Sequence, residues 1–139
     1  MKTKSTDNIL GEIKKANSIE EFWPSVDEND PAVDEYLKGL LEKYDVTVGN
    51  LVKRTNIDRV YAYQIIQGKK SHPSREKLLA ISLGIGLNLD ETQHLLRYAR
   101  VAELYPKNPQ DSIIIFAIEH KLSFLDTNEL LDSMNLAII

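Results

Sequence analysis

Apolar residues in this chain recur three and four positions apart rather than two, a period that predicts helices throughout. Val33, Tyr36, Leu37, Leu40, Leu41 and Tyr44 trace one helix, with Asp30 as its N-cap, Pro31 in its first turn and an end near Asp45. Thr47 is placed to cap a second helix over residues 48 to 54 that buries Leu51 and Val52. Asn56, a residue type that tolerates left-handed backbone, leads to Ile57 in the core, and Asp58 is placed to cap a third helix. On that helix Tyr61, Ala62 and Ile65 share one face with Ile66 at its edge, and Gly68 supplies a stop. Upstream, Ile9, Leu10 and Ile13 have helical spacing, and Ser18 with Glu21 forms a capping-box pattern before Pro24.

The breaks between these patterns divide the chain into an N-terminal helical arm with an acidic linker (residues 1 to 30), a central helical domain (31 to 100) and a C-terminal helical pair (101 to 139). KLLAISLGIGLNLDETQHLL in the central part has a counterpart 35 positions later in DSIIIFAIEHKLSFLDTNELL. Leu87 pairs with Leu122, Thr92 with Thr127, and Leu95-Leu96 with Leu130-Leu131. Asn88 to Glu91 and Ser123 to Asp126 are each a cap followed three residues later by an acid. Duplication and convergence of ordinary helix connections both account for this likeness. Either way, Asn108-Pro109 begins one helix and Ser123 another that ends near Met134.

The net charge of −4 hides a segregated distribution. Residues 1 to 50 hold 6 Lys/Arg against 11 Asp/Glu, residues 51 to 100 hold 9 against 4, and residues 101 to 139 hold 2 against 6. The segment that contains the two short helices is therefore basic between acidic flanks, the footprint of a chain with one anion-facing region. With no cysteine there is no disulfide or thiolate chemistry. No apolar run approaches the roughly 18 residues of a membrane span, and the start of the chain lacks a signal-peptide apolar segment, so a cytoplasmic protein is expected.

On the third helix Arg59, Val60, Tyr63, Gln64 and Gln67 point away from the apolar face. Arg and Gln can make bidentate contacts with base edges, and Tyr can meet a phosphate or a thymine methyl. Lys69, Lys70, Ser71, His72, Ser74 and Arg75 follow in one loop, a run of donors able to straddle a phosphate backbone. With Leu51, Ile57, Ile65, Gly68 and Pro73 as its skeleton, followed by KLLAISLGIGLNLDE, the stretch from 31 to 99 resembles the phage-repressor helix-turn-helix family, the Cro and xenobiotic-response-element type.

The resemblance implies an all-α fold: a lambda-repressor-like five-helix DNA-binding core, here carrying the N-terminal arm and C-terminal pair. It places Arg59, Val60, Tyr63 and Gln64 where the family reads bases, together with Asp58. Gln67, Lys69, Lys70, Ser71 and Ser74 fall near its phosphate contacts, and Thr47 and Val48 would present helix amides to phosphate. The chain departs from the family with Asn56 for the usual turn glycine, Val52 for alanine and Ala62 for a larger aliphatic. Leu41 and Ile66 stand where many members pair an arginine with a glutamate, and losing both charges together strands neither.

Asp58 has two readings, helix cap or acceptor from cytosine. His72, His94 and His120 show no metal-ligand spacing, and no nucleophile elbow, phosphate loop or carboxylate pair is present, so neither an enzyme nor a cofactor is expected. The expected partners are double-stranded DNA and a second copy of the chain. A protein bound through the acidic flanking helices is the alternative, with no membrane role.

Overall fold

The computed structural model describes residues 33–69 and 72–139, which form seven helices and no strand. They are α1 (Val33–Lys43), α2 (Val48–Arg54), α3 (Arg59–Ile66), α4 (Arg75–Ile85), α5 (Leu89–Tyr98), α6 (Pro109–Glu119) and α7 (Phe124–Ser133). The expected helices at Ile9 to Ile13 and Ser18 to Glu21, and the cap at Asp30, lie outside the described residues. None of the described helices is long and apolar enough to cross a membrane.

Local chemistry sets most boundaries. The side chains of Thr47, Asp58, Ser74, Asn88, Asn108 and Ser123 each accept from a backbone N–H in the first turn they precede, filling donors that the helix itself leaves open. α1 ends at Lys43, short of Asp45, which lies beyond it in the left-handed region at φ 53°. Asn56, by contrast, is not left-handed. Thr55 makes that connection instead: its hydroxyl donates to Leu51 O at 2.8 Å and accepts from Ile57 N at 3.2 Å, so a side chain replaces the expected backbone twist.

Around these ends the apolar faces close one core. α1 and α2 pack on α3, α2 packs on α4, α4 on α5 and α7, α5 on α6, and α6 on α7. α4 is the central helix, buried from Leu78 through Ile85, and the C-terminal pair packs against it through α7. Leu41 and Ile66 are both buried, so the two positions serve as core rather than as an ion pair. Leu51 is buried while Val52 is only half-buried.

The 35-residue correspondence runs deeper than the turn. Gly86 and Lys121 are both left-handed, and Leu87 N and Leu122 N reach back to Ser82 O and Ala117 O. Thr92 and Thr127 are fully buried, each donating its hydroxyl to the carbonyl of its own cap residue. Past the second helix of each pair, Arg100 and Asn135 are again left-handed. Gln93 then holds both backbone groups of Leu104, at 2.9 and 2.7 Å, as Asn128 holds those of Ile139, at 2.8 and 2.9 Å. Even Arg75 Nε on Ala102 O is matched by Gln110 Nε2 on Ala137 O, both at 2.8 Å. A generic helix connection accounts for the turn. It does not account for amide clamps reaching eleven residues along the chain in the same register, so one structural unit occurs twice. The closing residue Ile139 is accordingly buried rather than frayed.

α5 is tied to α1 by Glu91, which completes a capping box with Asn88, bridges Lys43 at 2.7 Å and accepts from the Tyr44 hydroxyl. Burial pushes the Glu91 carboxyl up, but the bonds from Lys43, Tyr44 and Asn88 outweigh it and hold the group below its ordinary value. A depressed folded value stabilises the fold above the unfolded carboxylate range and is lost as pH falls through the folded value. Glu91→Gln should therefore be less stable than the parent at pH 7. In denaturant titrations the gap should close as pH drops below about 4; a gap constant with pH would show that charge at Glu91 is immaterial.

Candidate nucleic-acid interface

The third helix is positioned from both ends. At its start Asp58, at φ −61° and ψ 141°, accepts from Val60 N at 3.1 Å and Tyr61 N at 3.3 Å. Both bonds go to one oxygen, so the carboxylate is engaged as a cap, which favours that reading over a contact with cytosine. At its end Gln67 N donates to Tyr63 O, and Gly68 N donates to Ile65 O from the left-handed region at φ 77°, where the absence of a Cβ matters. Ala62, Ile65 and Ile66 are buried. Tyr61, expected in the core, is half-buried with the Lys77 ammonium 5.7 Å from its ring centroid.

The opposite face is open. Val60 is 63% exposed and Tyr63 41%, Arg59 and Gln67 are exposed, and Gln64 is half-buried beside them. Two large apolar side chains on an outward helix face add nothing to the core; they enlarge the apolar surface offered to whatever covers it. No acidic side chain lies within α3 itself. Lys53 and Arg54 in the last turn of α2 and Lys69 after α3 add exposed cations on either side. Lys53 and Arg54 stood in the basic central segment but were not singled out by motif position.

The expected phosphate-side residues divide. Thr47 and Ser74 are exposed helix caps, their oxygens accepting from Asn50 N at 3.0 Å and Lys77 N at 3.2 Å while each hydroxyl hydrogen can still donate outward. Val48 is half-buried at the start of α2, and His72 is exposed. Lys70 and Ser71 lie outside the described residues. Arg75, read in sequence as one more donor of the basic loop, is instead the first residue of α4. Its guanidinium bonds Asp111 Oδ2 at 2.9 Å, Ala102 O at 2.8 Å and Glu103 O at 3.3 Å, so it fastens the C-terminal pair and faces no anion from outside.

His94 is stacked on Tyr36 at 5.4 Å between ring centroids, and Tyr36 on Tyr98 at 5.1 Å, which makes these rings a contact of α1 with α5. His120 caps α6, its ring 4.1 Å from that of Phe116. Among the described residues no group of three or more His, Asp or Glu side chains is placed to hold a metal ion. Comparisons of the chain with protein-family models, with curated proteins and with solved structures found no match.

Proposed function

We propose that this chain is a sequence-specific double-stranded DNA-binding regulator of transcription, built on a phage-repressor-like helix-turn-helix, acting without enzymatic chemistry in the cytoplasm. The observation that carries the reading is the outward row of α3, where Arg59, Val60, Tyr63 and Gln67 are exposed on a short helix fixed at both ends. In this reading the helix enters the major groove, Arg59 and Gln64 make polar contacts with base edges, and Val60 and Tyr63 meet thymine methyls. Thr47, Val48, Gln67, Lys69, Lys70, Ser71 and Ser74 set the register on phosphate. A homodimer would place two such helices about 34 Å apart and select an inverted-repeat site.

Selection from a random double-stranded DNA library tests this directly. The parent is expected to enrich a palindromic motif, and Arg59→Ala to lose preference at one base pair per half-site, with a cost of about 1–3 kcal/mol. Lys69→Ala should weaken all sequences alike and reduce the salt slope by about 1. If the two variants behave identically, the division into base-reading and register-setting residues is wrong.

A second reading, a protein-interaction module on the same scaffold, is favoured by one observation: Phe116 and Leu125 on the acidic C-terminal helices, and Met134 capping the second of them, are exposed. The two readings separate by salt. Binding through several phosphates weakens steeply as salt rises, whereas absence of any DNA enrichment at low salt would favour the protein partner.

A further inference from the structure

Two outward helix faces of this chain are opposite in charge and similar in length. On α7, Leu125, Asp126, Glu129 and Asp132 are exposed at positions i, i+1, i+4 and i+7, so they lie on one side of the helix. Leu125 is 65% exposed, and the helix carries no cation. On α3 the exposed row is Arg59, Val60, Tyr63 and Gln67, with no carboxylate in the helix, and Lys53 and Lys69 stand exposed before and after it. Each row runs about 10–12 Å along its helix at 1.5 Å per residue.

Neither row is neutralised within the chain. Among the described residues Asp126, Glu129 and Asp132 form no ion pair, and neither do Arg59, Lys53 and Lys69. The two acids near α3 stand at its ends rather than on the row: Asp58 caps the helix through Val60 N and Tyr61 N, and Asp34, beside Gly68, is half-buried. α3 packs on α1 and α2, and α7 on α4 and α6, so the two faces belong to different parts of the core and both are open in the single chain. Exposed apolar side chains among unpaired charges of one sign fit a surface that is apolar at its centre and of the other sign around it.

We infer that the α7 face of one copy docks on the α3 face of a second copy, Leu125 against Val60 and Tyr63, with Asp126, Glu129 and Asp132 among Arg59, Lys53 and Lys69. Pairing either face with itself would set like charges against each other, which leaves α3 against α7 as the attractive arrangement. Each copy offers one face of each kind, so the contact is head-to-tail and either extends or closes into a ring. One helix of eight residues on one of ten buries less than the roughly 1,200 Å2 of a stable interface, so the association is weak and reversible. Self-association in itself rests on neither reading above. Under the DNA-binding reading it covers the helix that enters the groove, and DNA competes with it.

Sedimentation velocity of the full chain without DNA tests this, at protein concentrations up to about 1 mM, where a weak contact is populated. At about 50 mM salt the mean mass should rise with concentration, and at about 500 mM, where exposed charges are screened, the rise should disappear. Val60→Asp and Leu125→Arg each place a like charge in one face at an exposed position, and either alone should weaken the association at least about tenfold. Mixing the two variants should restore it, because each supplies the face that the other lacks. A mean mass that does not rise at low salt, a rise that persists at high salt or in either variant, or a mixture that stays unassociated would overturn the proposal. None of these readouts uses DNA, so failure of the DNA-binding reading leaves the result intact.

Discussion

Asp111→Ala is expected to lower the unfolding free energy by about 3 kcal/mol. Asp111 is 4% exposed and accepts through one oxygen from Arg75 Nη2 at 2.9 Å and from Tyr105 N at 2.8 Å. Truncation leaves the Tyr105 amide without its acceptor and Arg75 without its counter-charge. Arg75 keeps the carbonyls of Ala102 and Glu103 and its side chain is 27% exposed, so solvent and backbone offset part of the loss. Arg75→Ala should cost at least as much, because the charge left behind is the more deeply buried carboxylate. In a double-mutant cycle read by guanidinium unfolding, the double variant should lose less than the sum of the singles. If Asp111→Ala unfolds within about 1 kcal/mol of the parent, the pair is not what fastens the second helical unit to the first.

Gly84→Val is expected to cost a similar amount, about 3 kcal/mol, by overpacking. Gly84 lies on the face of α4 that meets α2, where an added Cβ would stand 2.7 Å from both Leu51 Cδ1 and Thr55 Cγ2. Neither neighbour can yield easily. Leu51 is fully buried, and the Thr55 hydroxyl is held by Leu51 O and Ile57 N. Gly84→Ala should cost less, since alanine recovers about 1 kcal/mol of helix propensity. The strain falls on Thr55, the residue that turns the chain from α2 into α3, so under the proposed DNA-binding reading the valine variant should also lose base preference in the library selection. An unchanged denaturation midpoint for Gly84→Val would show that α2 and α4 have room between them.

Several features were readable because they depend on residues three or four apart. The apolar spacing of Leu37, Leu40 and Leu41 located α1, and the caps at Thr47, Asp58, Asn88, Asn108 and Ser123 were all identifiable from residue type and position. Asp58 illustrates the limit: its type named two roles, and only its bonds to Val60 N and Tyr61 N separated them. Asn56 was the natural candidate for a left-handed turn, but the neighbouring Thr55 hydroxyl offers the backbone a bond that removes the need. The repeat was visible as matched leucines and threonines, while the Gln93 and Asn128 clamps, whose partners lie eleven residues away past a left-handed turn, were not.

For this protein the sequence by itself determined the described helices, most of their ends, the outward row of α3 and the basic middle segment between acidic flanks, because each follows from chain-local periodicity, capping or charge. Tertiary structure alone decided that Arg75 belongs to Asp111 rather than to an external anion, that Glu91 joins α5 to α1, and that the Gln93 and Asn128 clamps recur in the same register. Those outcomes depend on where α6 and α7 come to rest on α4 and α5, a placement set by burial summed over the whole core that no window of neighbouring residues encodes.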